Sequence, residues 1–150
     1  MSGTYTNLLY HVVFSTKLRI PLITRTLRDE LHRYIGGIIR GEGGVLLEVG
    51  GMPDHVHLLT KLAPTVSLPD VLRKVKANSS KWANAKSPTG RKFGWQDGYA
   101  AFSASESQVA RVTQYIRDQE RHHRGVEFKE ELIKLLRRHR VEYDERYLST

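Results

Sequence analysis

At 150 residues the chain has the length of one ordinary domain, enough to bury a single core. It contains no cysteine, which excludes disulfides and thiolate metal sites and leaves His, Asp, Glu and amide oxygens as the ligands for any metal. A formal net charge of +8 favours a polyanionic partner, while ordinary apolar and charged fractions exclude wholesale disorder.

Leu8 to Ser15 (LLYHVVFS) is rich in aromatic and β-branched residues and reads as a strand. Pro21 interrupts the chain, and Thr24 is placed to cap a helix from about Arg25 to Arg40, in which Leu27, Leu31, Ile35, Ile38 and Ile39 recur at helical spacing. Gly41, Gly43 and Gly44 end it. Val45–Val49 and Val56–Leu62 read as two strands of a hairpin, joined by the loop Gly50-Gly51-Met52-Pro53-Asp54. Ser67 or Asp70 can start a second helix reaching about Ala83, and a polar, basic connection from Lys86 to Asp97 leads to a fourth short strand, Tyr99–Ser103. Ser105 with Gln108 resembles a capping box for a third helix that runs to about His123 and stops at Gly125. A fourth helix, Lys129–His139, precedes a polar tail.

This order is that of a ferredoxin-like, split βαβ fold of the α+β class. It predicts a four-stranded antiparallel sheet with helices on one face, followed by C-terminal helices. With no repeat and no long linker, residues 1–150 are expected to form one domain. Its core would cover about 7–105, with a third helix over about 106–123 and a C-terminal helix over about 127–139. No apolar run approaches membrane-spanning length and no secretory signal opens the chain, so a soluble, cytoplasmic protein is expected.

His55-Val56-His57 is the first chemical candidate. On a strand the two imidazoles point to one face, with Cα atoms roughly 6.5 Å apart, and can converge on a cation while Val56 packs behind them. Two surface histidines with no ligand would give the same pattern. Tyr115 and Gln119, four residues apart, share a helix face. Laid over the histidines, that face would add an amide oxygen as third ligand and set a phenol beside the metal. A phenol with a reference pKa of about 10 needs such a neighbour to act as a nucleophile at neutral pH. Simple packing of a helix tyrosine is the alternative. His122 and His123, near the end of the same helix, suit its dipole, with a second metal site the lesser reading. Glu130 and Glu131, with Lys134, Arg137 and Arg138, read as a solvated helix surface. Val71 to Gly94 holds no Asp or Glu but seven Lys or Arg, and Trp82 within this stretch and Trp95 at its end are free to stack on bases or to pack in the core.

Four stretches taken together carry a resemblance: YHVVFSTKLRIPLI from Tyr10, GGMPDHVHLL from Gly50, VLRKVKANSSKWAN from Val71 and YIRDQERHH from Tyr115. In this order they resemble the single-tyrosine HUH transposases of the insertion-sequence 200/605 type, from Tyr10 to about Arg124. The resemblance implies that His55, His57 and Gln119 bind Mg2+ or Mn2+. It implies that Tyr115 attacks a DNA phosphate, leaving a 5′-phosphotyrosine link and a free 3′-OH. It further implies single-stranded DNA with hairpins at element ends as substrate. A homodimer is implied as well, in which the tyrosine helix of one subunit can serve the histidine pair of the other. Arg73, Lys74, Lys76 and Lys81 then become candidates for phosphate contacts. Lys74 and Lys81 share a helix face, and Arg73 and Lys76 turn elsewhere.

Two other enzyme classes fit less well. A histidine-triad hydrolase needs a third histidine where Leu59 stands, and a two-motif phosphoesterase needs a second copy of its HxT or HxS motif. A non-catalytic or domesticated nucleic-acid-binding module of the same topology remains the alternative. Such modules carry stacking aromatics on their middle strands, and HVHLLTKL has none.

Overall fold

The computed structural model describes residues 3–87 and 90–148. Four strands form one antiparallel sheet in the order β2-β3-β1-β4, with β1 Leu8–Ser15, β2 Val45–Met52, β3 His55–Leu62 and β4 Ala100–Ala104. Helix α1 (Arg25–Gly41) connects β1 to β2, and α2 (Leu68–Lys86) connects β3 to β4. This is the expected ferredoxin-like α+β fold. Thr24 caps α1 by accepting from the Leu27 amide, and Ser67 caps α2 by accepting from Asp70. Within the basic connection that follows α2, residues 88–89 lie outside the described ones.

Alternation along β1 and β3 divides the molecule. Val13 pairs with His57, Phe14 with Val56 and Ser15 with His55, so successive residues face opposite sides. Val12, Phe14, Val56 and Leu58 face α1 and α2 and join Leu31, Ile35, Leu72 and Val75 in the main core. His11, Val13, His55 and His57 face the other way. Three further helices cover that side: α3 (Val109–Arg117), α4 (Gln119–His122) and α5 (Phe128–Arg138). A second cluster of Val13, Phe102, Phe128, Leu135 and Leu136 fastens α5 there.

Three local expectations are corrected. The hairpin loop is two residues, not five, because β2 runs on through Gly50, Gly51 and Met52 and turns at Pro53-Asp54. Ser105 does not form a capping box. Its hydroxyl pairs with that of Ser107, residues Glu106–Gln108 make a 3-10 turn, and α3 starts at Val109. The third helix is not continuous to His123 either, for it breaks at Asp118 before α4. Trp82 stacks on Tyr34 with ring centroids 5.0 Å apart, and Trp95 meets Phe14 and Phe93 edge-on while its indole N–H donates to Ser79. Both tryptophans thus pack into the main core.

Gly50 sets how closely α3 approaches the sheet. It pairs with His57 and so faces the same side, where a Cβ would lie 2.5 Å from the Ile116 carbonyl oxygen. Gly50→Ala should therefore push α3 outward and cost about 1–3 kcal/mol, lowering the Tm by about 2–12 °C. Gly37, inside α1 with nothing near its missing Cβ, should show the opposite sign, Gly37→Ala gaining about 0.5–1 kcal/mol. Thermal melting of the two variants checks both signs.

Candidate metal and tyrosine site

The histidine pair, the tyrosine helix and α5 meet on one carboxylate, that of Glu131. It is 1% exposed. Its Oε1 lies 3.1 Å from His57 Nε2, 2.9 Å from His123 Nε2 and 3.4 Å from His55 Nε2. Its Oε2 accepts from the Tyr115 hydroxyl and, at 2.8 Å, from the Gln119 amide nitrogen. The reading of Glu131 as part of a solvated surface is overturned. Glu130, Lys134, Arg137 and Arg138 are exposed, but Glu131 is on the side of α5 that carries Phe128 and Leu135 into the second cluster. Burial of an ionised carboxylate is costly unless hydrogen bonds replace water. Here those bonds prevail over burial and hold its pKa well below the usual carboxylate range.

His55 and His57 are both buried. His55 Nδ1 is 2.8 Å from Asp54 Oδ1, and its Nε2 is 3.1 Å from Gln119 Oε1. Burial opposes its imidazolium, but the hydrogen bonds it donates to Asp54 and Glu131 outweigh it and lift the pKa to about 9. Asp54 owes its place to the tight turn, whose carbonyls at Pro53 and Asp54 accept from Ile23 and Thr16. His57 Nδ1 lies 2.9 Å from His11 Nε2. Since Glu131 accepts at His57 Nε2, that nitrogen carries the proton and His57 Nδ1 accepts from His11. Burial, then the nearby His57, push His11 down to about 3 and keep it neutral.

The Tyr115 ring is 5.7 Å from that of His57, and burial together with Glu131 raises its pKa strongly. Gln119 is 1% exposed and reaches the histidines from the first residue of α4. The four residues singled out from the sequence thus stand together, and Glu131, His123 and His11 join them. His122 and His123 do not merely end a helix. His123 contacts Glu131, and His122 Nε2 lies 3.6 Å from its Oε2.

The basic residues of α2 lie on the other side of the sheet. Lys74 pairs with Glu42, Lys76 donates to the Gln96 and Gly98 carbonyls, and Arg73 and Lys81 are exposed. Lys76 and Lys74 therefore spend charge within the chain.

The donor set suits a divalent cation. His55, His57 and Glu131 offer two imidazole nitrogens and a carboxylate oxygen, all buried and within 4.8 Å of one another, and the Gln119 amide oxygen is beside them. Two imidazoles and a carboxylate make a nitrogen–oxygen set without thiolate, which suits a divalent ion rather than a soft, thiolate-seeking one. Binding would displace the protons now held by the imidazoles.

Fold and site together define a tyrosine- and histidine-bearing ferredoxin-like domain, and comparison with known proteins supplies the class. The family model described as "Transposase IS200 like" matches residues 4–119. The ISDra2 transposase TnpA of Deinococcus radiodurans is 27% identical over 115 residues, covering 73% of this chain and 82% of its own. A crystal structure of a candidate transposase from D. radiodurans R1 superposes with a TM-score of 0.63 at 28% identity, covering 79% of this chain and 95% of that one. A REP-associated tyrosine transposase bound to a REP hairpin shares the fold, with a TM-score of 0.62 at 14% identity over 84% of this chain and 76% of its own. The chain belongs to the IS200-like transposase family. Glu131 lies beyond the segment that the family model matches. Among the described residues no helix is long and apolar enough to cross a membrane.

Glu131→Gln keeps the shape but removes the charge at this centre. Calorimetric titration with Mn2+ should show affinity reduced by on the order of tenfold or more, with far-UV circular dichroism unchanged. Undiminished affinity would remove Glu131 from the ligand set.

Proposed function

We propose that the protein cuts and rejoins single-stranded DNA through Tyr115, with Mg2+ or Mn2+ held by His55, His57 and Gln119, and with Glu131 as a further ligand. The observation that carries this reading is the convergence of Tyr115, Gln119 and both histidines on one buried carboxylate. A bound divalent cation would neutralise the site's negative charge and polarise a phosphodiester oxygen.

The chain's own groups do the rest. Tyr115 is held with its hydroxyl at the ligand cluster by the Glu131 hydrogen bond. Burial and the Glu131 charge keep the phenol protonated, so the nucleophile is quiescent until that charge is compensated. In the cleavage step a bond forms between the Tyr115 oxygen and phosphorus and the bond to the 3′ oxygen breaks. The phenol gives up its proton and the departing 3′ oxygen gains one, leaving a 5′-phosphotyrosine and a 3′-OH. The reverse reaction with another 3′-OH rejoins strands without ATP, because the ester is retained. His11 orients His57 through the ring nitrogen that faces away from Glu131, the outer position from which a metal-ligating imidazole is held in place.

Hairpins at element ends are the substrate feature we assign, following the hairpin-bound relative of the same fold. Arg73 and Lys81, exposed on α2, are assigned to DNA backbone outside the reaction centre, while Lys74 and Lys76 are engaged within the chain. We assign a homodimer in the cytoplasm, with Tyr115 acting in its own chain, since its ring lies against its own His57 and His11.

The test uses labelled single-stranded DNA from the sequences that flank the gene, incubated with Mg2+ or EDTA and resolved on a denaturing gel. A Mg2+-dependent covalent band should form, and Tyr115→Phe should abolish it while leaving DNA binding in place. His57→Ala should lose it too. Mixing these two variants should give no band, and a restored band would assign the tyrosine to the partner subunit. Binding without any adduct would instead support a non-catalytic nucleic-acid-binding relative.

A further inference from the structure

Two helices that meet over the histidine face each carry an arginine on the same side as a group of the site. On α3, Arg111 precedes Tyr115 by one helical turn. On α5, Glu131, Leu135 and Arg138 follow at intervals of four and three, so that Arg138 extends the face on which Glu131 lies. Both arginines are exposed. Elsewhere Arg28, Arg117 and Arg146 pair with Glu120, Glu48 and Asp144. Among the described residues Arg111 and Arg138 make no ion pair.

Between these two arginines opens a cleft of about 340 Å³, with Tyr115 on its wall. None of the described residues that line it is acidic. Val112 and Leu135 give it an apolar side, and Gln108 contributes an amide. The volume is at the lower end of what small-ligand sites use and suits one nucleotide. An apolar wall with an amide accepts a base, and unpaired guanidinium groups accept phosphate oxygens, often two at once. Tyr115 belongs to both places, for it lines the cleft while its hydroxyl reaches Glu131.

We propose that this cleft holds the nucleotide of single-stranded DNA adjoining the phosphate that Tyr115 attacks, with Arg111 and Arg138 on its phosphate oxygens. This rests on the reading of Tyr115 as the nucleophile. The assignment gives α5 two tasks, a ligand at Glu131 and a substrate contact seven residues on. It also gives a role to two exposed arginines that make no ion pair among the described residues and that line a cleft with Tyr115 on its wall.

Binding is measured in the Tyr115→Phe protein by fluorescence anisotropy of a short labelled single-stranded oligodeoxynucleotide across a range of NaCl. Arg111→Ala/Arg138→Ala should lose tenfold or more in affinity, and the slope of log K against log salt should fall by about 1.4, two phosphate contacts at about 0.7 each. Melting temperature should be unchanged, since both side chains are exposed. Arg111→Lys/Arg138→Lys should retain most of the slope but bind less tightly, because lysine keeps the charge and loses the fork. The same loss of charge on the far side of the sheet, in Arg33→Ala/Arg40→Ala, should change neither quantity. Unchanged affinity and slope in Arg111→Ala/Arg138→Ala would overturn the proposal, and so would an equal loss on a blunt duplex of the same sequence. Adduct formation with Tyr115 intact separates the two readings. If no adduct forms but the slope falls, the cleft stands and the nucleophile assignment fails. If an adduct forms at the same rate with and without the two arginines, the cleft assignment fails and the nucleophile stands.

Discussion

One buried negative charge organises the functional half of this protein. A carboxylate removed from water is expensive, and it persists only where donors surround it. Glu131 is surrounded by Tyr115, Gln119, His57 and His123, drawn from α3, α4, β3 and the segment after α4. Each of these elements is thereby tied to α5. Removing any one donor leaves the others around a charge that is less well satisfied, so the cluster behaves as a unit. The same carboxylate that holds the helices together is also the negative centre toward which a divalent cation would be drawn.

The site exists because a single sheet has two different faces. In β1 and β3 the apolar residues that build the main core alternate with His11, His55 and His57. Burying one set against α1 and α2 presents the other to α3, α4 and α5. Val56 secures the strand that the two flanking histidines use. The break at Asp118 has a related effect, since it lets Gln119 begin a new short helix directed at His55 rather than continue the line of α3.

Much of this was legible in the sequence, and the rest was hidden for identifiable reasons. Strand alternation and helix caps at Thr24 and Ser67 made the core topology readable, because those signals are local. His55, His57, Tyr115 and Gln119 were found as spaced pairs on a strand and a helix, and the structure brings them together. Glu131 was missed because its neighbours Glu130 and Lys134 give α5 the look of a charged surface, and nothing local distinguishes the one acid that turns inward. A signal was available: Phe128, Leu135 and Leu136 mark the buried stripe of α5, and Glu131 falls on it. The length of β2 was misjudged for a different reason. Two consecutive glycines read as a turn, whereas here Gly50 keeps the strand thin beneath α3 and Gly51 lies close against the backbone of His55 and Val56 in the partner strand.

That thin stretch of strand has a consequence for how such a site can vary. The gap between α3 and the sheet is closed at Gly50 by the main chain and Cγ2 of Ile116. The depth at which the tyrosine sits is therefore set jointly by the missing side chain at Gly50 and by Ile116, the buried residue that follows Tyr115. A larger residue at the strand position meets helix backbone, which cannot change its dimensions, so the constraint is tightest at that single glycine.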